Sequence, residues 1–212
     1  MTYQSSGIMD LLKEATAVQH RDAERRRLQK EMVTGRLPVD TYRNWIGQML
    51  LLHSALWSGI VACRVSSPAL ADIVHDEGRH VVNLRADLIA LDGDPDEIDP
   101  LMATERGLSA IRNTAAQDPL SLLGYNYVLE GSMNGNRFIA RVLTPALKIA
   151  ATTYLDPYGE EQRPVWGAYR ERMNAAGFDA SQADRMVAAA REMFSTIAAL
   201  SDELIEEPAQ AQ

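Results

Sequence analysis

From Tyr42 to Ile60 the apolar residues return every three or four positions: Tyr42, Trp45, Ile46, Met49, Leu52, Leu56, Trp57 and Ile60, with His53 on the same stripe. That period is helical. The stripe is wider than one buried face needs, so it predicts a central helix wrapped by others. The neighbouring segments repeat the period more weakly. No segment alternates convincingly at period two, no internal repeat is present, and no linker separates two cores. The fold class is therefore all-α, a single multi-helix domain over residues 1–212, ordered over about 8–205, with 206–212 as a disordered tail.

The helices around that centre can be placed by their stripes and breakers. Ser5 or Ser6 can cap a first helix from about Ile8 to Met32, which stops at Gly35. Pro38 stands near the start of the central helix. A third helix is expected from about Pro68 to Leu91, and a shorter one from Met102 to about Ala116. Asp118-Pro119 opens another, which reaches Asn136 and resumes from Phe138; Pro145 can kink it. After a loop from Tyr154 to Pro164 come a helix from Pro164 to Ala176 and a last one starting near Asp179 or Ser181. The loop Asp92 to Pro100 begins like a calcium loop but lacks the twelve-residue ligand pattern with its closing glutamate.

Composition narrows the partners. A net charge of −8 argues against nucleic acid. The single cysteine, Cys63, excludes an internal disulfide and any cysteine zinc cluster, and fits a reducing, cytoplasmic setting. The N-terminus lacks the basic start and apolar run of a signal peptide. The stretch Met49 to Cys63 is too short and too polar to span a membrane.

Two stretches carry chemistry. His20 precedes Glu24 by one helical turn, so both share a face. A carboxylate there can hold the proton of one imidazole nitrogen and leave the other as a metal ligand. The second stretch places Gly131, Asn134, Gly135 and Asn136 within six residues. It reads either as a loop or close helix crossing, or as backbone that lies directly against a flat ligand. Together the two stretches describe a sandwich for a thin plate with a metal at its centre, and a haem is such a plate. The other histidines offer less: His53 reads as a satisfied core residue, and His75 and His80 are about 140° apart around a helix.

The sequence resembles haem oxygenases of the bacterial, biliverdin-producing type. Leu12-Lys13-Glu14-Ala15-Thr16 with His20, Ala23 and Glu24 is similar to the family's proximal-helix motif. Tyr127-Val128-Leu129-Glu130-Gly131-Ser132 with Gly135 is similar to the distal motif, and Tyr169-Arg170 with Arg172-Met173-Asn174 to the segment that supplies a propionate-binding arginine. The stretch Gly35-Arg36-Leu37 to Tyr42 matches as well, and the likeness runs over about residues 8 to 205. The resemblance implies a fold with haem held between a proximal and a kinked distal helix. It implies His20 as the iron ligand, Glu24 holding its second nitrogen, and Gly131, Ser132, Gly135 and Asn136 on the distal side. Lys13 and Arg170 would bind the propionates, with Tyr169 on the same edge. Four positions depart from the family pattern: Asn136 where glycine or alanine is usual, Asn134 where leucine or serine is common, and Ala17 and Trp166 where some members have lysine.

The activity so implied is oxidative cleavage of haem, both substrate and cofactor, to biliverdin, iron(II) and carbon monoxide, with molecular oxygen as co-substrate. No dinucleotide fingerprint is present, so electrons come from an external donor: a ferredoxin, a flavoprotein reductase or a small reductant. Arg21, Arg25, Arg26, Arg27 and Lys30 form a candidate docking face for it. A bilin-binding photoreceptor is a candidate recipient of the product. The alternatives are a non-catalytic haem carrier or sensor, in which Asn136 has spoiled turnover; a non-haem di-iron oxidase, disfavoured because no histidine follows His80; and a thiamin-degrading relative using Cys63.

Overall fold

The computed structural model describes residues 7–75 and 77–206, and these contain ten α-helices and two short 3-10 turns. The helices are α1 (Ile8–Ala15), α2 (Ala17–Glu24), α3 (Arg27–Val33), α4 (Val39–Cys63), α5 (Pro68–Ile73), α6 (Glu77–Ala90), α7 (Met102–Gln117), α8 (Leu122–Leu147), α9 (Gln162–Ala175) and α10 (Ala180–Glu206). The all-α expectation holds. Glu206 belongs to α10; the rest of the expected tail and the expected caps Ser5 and Ser6 lie outside the described residues, with Gly7 at the N-cap of α1.

The strongly striped segment is the centre of the bundle. α4 follows Pro38 and buries Tyr42, Trp45, Ile46, Met49, Leu52, His53, Leu56 and Ile60 against α6, α7 and α8. At 25 residues it is, by length and composition, long enough and apolar enough to cross a membrane, which the shorter stretch read from the sequence was not. Its burial identifies it as a core helix. α8 and α10 are the other long elements and pack along each other. They approach so closely that a Cβ at Gly124 would collide with the Met186 carbonyl and lie 2.9 Å from Ala189 Cβ. α10 begins with a capping box: Asp179 Oδ1 accepts the Gln182 N–H at 2.8 Å, and Gln182 Oε1 accepts the Asp179 N–H at 2.9 Å.

Two expected helices are broken, and at Thr16 and after Ile73 side chains take over the carbonyls a helix end releases. The first is three pieces, not one. At Thr16 the hydroxyl donates back to the Leu12 carbonyl at 2.7 Å, and Arg191 Nε donates to the Ala15 carbonyl at 2.9 Å. At Arg26 the backbone is extended, and its guanidinium joins Asp22 to Asp202 of α10. The third expected helix divides into α5 and α6. Arg172 Nε caps the Ile73 carbonyl at 3.0 Å, Arg64 caps the Val74 carbonyl at 3.0 Å, and both apolar side chains turn inward. α8, by contrast, runs unbroken through residues 131–136, with Pro145 inside its last turn. The glycines there thin the helix surface without interrupting it.

Candidate functional site

α2 and α8 both rest on α10. α2 is short and surface-lying because it is polar nearly all round; Ala23 is its one buried residue. On it, His20 Nδ1 stands 3.3 Å from Glu24 Oε2, with the side chains 54% and 65% exposed. The imidazole packs edge-on against Phe194 of α10, ring centroids 5.4 Å apart. With Nδ1 turned to the carboxylate, Nε2 is the nitrogen left for a ligand.

On α8, Gly131 and Gly135 lie one turn apart on one face. A Cβ at Gly135 would meet nothing within 4 Å; one at Gly131 would meet only Trp166, at 3.3 Å. Ser132 donates to the Leu129 carbonyl at 2.7 Å, and Asn136 Nδ2 donates to Ser132 Oγ at 3.3 Å. The Asn136 amide thus bonds along its own helix. Asn134 does the same, donating to the Gly131 carbonyl at 2.9 Å. At the rim, Lys13 is exposed on α1, and Arg170 is exposed on α9, which packs beside α1, with its guanidinium 3.7 Å from Asp10. Tyr169, expected beside Arg170 on the ligand's edge, is instead turned into the core and only 3% exposed.

Tyr169 leads to a polar centre that sequence reasoning missed. His53 of α4 and Glu77 of α6 are both fully buried and bonded to each other, Nδ1 to Oε1. Asn126 Nδ2 donates to the other Glu77 oxygen at 2.8 Å. On its far side His53 Nε2 lies 2.9 Å from the Tyr154 hydroxyl, and Ser132 is a neighbour of that phenol. A second pair sits alongside: His80 Nε2 is 2.8 Å from Glu130 Oε2, to which the Tyr158 hydroxyl also donates at 3.3 Å. The two imidazole centroids are 5.3 Å apart.

The electrostatics follow from burial and pairing. Burial alone would raise the Glu77 carboxyl, but the His53 imidazole, with His80 and the Asn126 amide, outweighs it and holds Glu77 below its ordinary value. Burial, reinforced by Glu77 and Glu130, pushes the Tyr154 phenol far up, so it stays protonated and can donate to His53. That leaves Nδ1 as the proton-bearing nitrogen towards Glu77. The loop carrying Tyr154 is pinned by buried Asp87, which accepts the Thr153 N–H at 3.0 Å, the Thr153 hydroxyl and the Tyr154 N–H at 2.8 Å. Burial raises the Asp87 carboxyl despite those bonds.

Glu77, Asn126, Glu130 and Tyr169 also line a cavity of about 10 Å³, roughly the room of one water. Asn126 Oδ1, Glu130 Oε1 and the Tyr169 hydroxyl are buried without a hydrogen-bond partner among the described residues. His75 and Arg172 line the same cavity. A sequence signal for part of this centre existed: Asn126 and Glu130 share one face of an otherwise apolar run, and Glu77 and His80 share a face of α6. The four ionisable groups pair with one another, and among the described residues no group of three or more is arranged to hold a metal ion. Cys63 donates to the Ala115 carbonyl at 3.4 Å and packs against the apolar core.

The family model described as Heme oxygenase matches residues 6–203. Among solved structures, heme oxygenase-1 from the cyanobacterium Synechocystis, in complex with heme, superposes with a TM-score of 0.86 at 22% identity, over 94% of this chain and 92% of that one. Heme oxygenase-2 from Synechocystis, in complex with heme and NO, gives 0.87 at 20% identity, over 94% and 85%. A TenA homologue from P. horikoshii gives 0.66 at 17% identity, over 94% and 98%, so the fold is shared with other functions. No curated relative matches the chain.

Proposed function

The chain belongs to the haem oxygenase family, and from that premise we propose that it cleaves haem to biliverdin, iron(II) and carbon monoxide, using molecular oxygen and an external electron donor. The residues present fit a haem. An imidazole with one nitrogen held by a carboxylate is a suitable iron ligand, a side-chain-free backbone at Gly135 suits a flat ring, and Lys13 and Arg170 suit carboxylates at its edge. The observation that carries the proposal is the pairing of His20 with Glu24 on α2 while α8, on the same supporting helix α10, offers an open glycine face.

Bound haem would supply the iron that binds and activates oxygen, and its own ring is what is oxidised. The protein's part is binding, orientation and protons. Glu24 fixes the His20 tautomer. The distal surface offers Ser132, whose neighbour Tyr154 is a protonated phenol. Behind it, His53 Nε2 accepts the Tyr154 hydroxyl proton and Nδ1 donates to Glu77, which holds the phenol in place. No acid lies on the exposed distal face itself: Ser132, Asn134 and Asn136 are neutral. The Asn136 amide is tied to Ser132, which counts against a carrier in which Asn136 blocks the face. Arg21, Arg25 and Lys30 stand exposed on α2, α3 and the turn between them, a basic docking face suited to an acidic electron donor. A cytoplasmic enzyme that supplies a bilin-binding photoreceptor is consistent with this chemistry.

The test is reconstitution. Haem added to the protein is expected to give a Soret band that His20→Ala abolishes or shifts. Reductant and oxygen are then expected to yield a biliverdin, identified by chromatography. A Soret band without any bilin product would favour the carrier, and an unaltered band in His20→Ala would remove the reading altogether.

A further inference from the structure

The face of α8 that carries Gly131 and Gly135 is open at one end and closed at the other. At Gly135 nothing approaches. At Gly131 the three nearest atoms, at 3.3, 3.8 and 3.9 Å from an added Cβ, all belong to the six-membered ring of Trp166. That indole is fixed from behind. It stacks on the buried Tyr169 ring at 5.3 Å and 14°, and leans on Tyr127 at 6.2 Å and 38°. Arg170 follows it one turn along α9, on the same face. A flat ligand laid over Gly135 therefore meets a rigid aromatic edge at Gly131 and a cation one turn farther along the same helix.

A tetrapyrrole is nearly square. Its carboxylates select the edge that faces a cation, but an exposed guanidinium on a flexible stem tolerates several rotations of the plate. A backed indole edge does not, because a ring that must turn past it would overlap packed atoms. We propose that Trp166 sets the in-plane rotation of the bound macrocycle, and through it which bridge carbon lies under attack; this rests on the haem oxygenase reading above. Trp166 is thus a specificity-determining contact on α9, and the stacked Tyr169 is its positioning residue.

The experiment compares wild type with Trp166→Phe, which keeps a ring on Tyr169 but withdraws the outer edge from Gly131, and with Trp166→Ala. Each is loaded with haem and cyanide, and the haem methyl resonances are read by proton NMR. Turnover products are separated by chromatography in parallel. Wild type is expected to show one dominant set of methyl signals. Both variants should bring up a second set, with the ratio of rotational settings moved by roughly three- to tenfold, the size of one aromatic contact. The biliverdin isomer ratio should change with it. A Trp166 that served packing alone would lower the melting temperature and leave both ratios unchanged. One unaltered set of signals in a haem-loaded Trp166→Phe overturns the proposal and leaves the haem oxygenase reading standing. Failure of wild type to form the complex overturns that reading instead. Should Trp166→Ala fail to fold, Trp166→Phe decides alone.

Discussion

This chain pairs histidine with glutamate at the surface and in the core, and the two settings make opposite demands. His20 and Glu24 sit on a short polar helix, more than half exposed, one turn apart. His53 and Glu77 come from different helices, 24 residues apart, and have no exposed surface. The surface pair adds little to stability, since solvent screens it and two mobile side chains must be held. That leaves its second nitrogen free for a ligand. The core pair must satisfy every polar atom it brings out of water, so it is built into a network with Asn126, Tyr154 and the neighbouring His80–Glu130 pair. The same two side chains thus make a binding group where they are loosely held, and a rigid proton-bearing centre where they are enclosed.

The largest effect expected from breaking this contrast is in the core. Glu77→Ala leaves His53 and Asn126 buried without their partner, and is expected to cost roughly 3–5 kcal/mol. Denaturant unfolding would read this directly, and a melting temperature lowered by about 10 °C would accompany it. A loss no greater than that of an ordinary surface substitution would show that the pair is not enclosed as described. His20→Ala is expected to do the reverse: an unchanged melting temperature, with loss of the specific Soret band. If His20→Ala unfolds the protein and Glu77→Ala does not, the assignment of roles to the two pairs is inverted.

Acid separates them next. The Glu77 carboxyl is held below its ordinary value by its neighbours in the folded state. A depressed carboxyl contributes stability that is fully present above its unfolded value and is lost as pH falls through the folded one. Unfolding free energy should therefore decline as pH drops below the ordinary carboxylate range, and Glu77→Gln should flatten that part of the profile. An identical acid limb in wild type and Glu77→Gln would refute the pairing.

The contrast also explains what could be read from the sequence. Helical period gave the all-α bundle and the central place of α4, because burial on a regular helix repeats every turn. The surface pair was legible for the same reason: its partners are local. His53 could be placed in the core by its stripe, but Glu77 lies on another helix, and Glu130 is 50 residues from His80. Such pairings depend on how helices cross, which period does not encode. The breaks at Thr16 and after Ile73 escape the period on the same ground, since Arg191 and Arg172, which take the released carbonyls, come from the far end of the chain. Adjacency in the sequence puts Tyr169 beside Arg170. Consecutive helical residues point about 100° apart, and the structure turns one into the core and the other to the rim.

The smallest effect sharpens the comparison most. Glu24→Gln keeps an acceptor for the His20 Nδ1 proton but removes the charge behind it. Stability should not move, because the pair is exposed. Haem affinity should fall, by roughly tenfold if Glu24 acts as an outer partner to a metal ligand, and further in Glu24→Ala, where the imidazole also loses its orientation. Haem titration followed at the Soret band orders the three proteins. If wild type, Glu24→Gln and Glu24→Ala bind alike, the 3.3 Å contact is only the ordinary meeting of two residues one helical turn apart. His20 would then hold its ligand unaided, and the only histidine–glutamate pairs with a task would be those in the core.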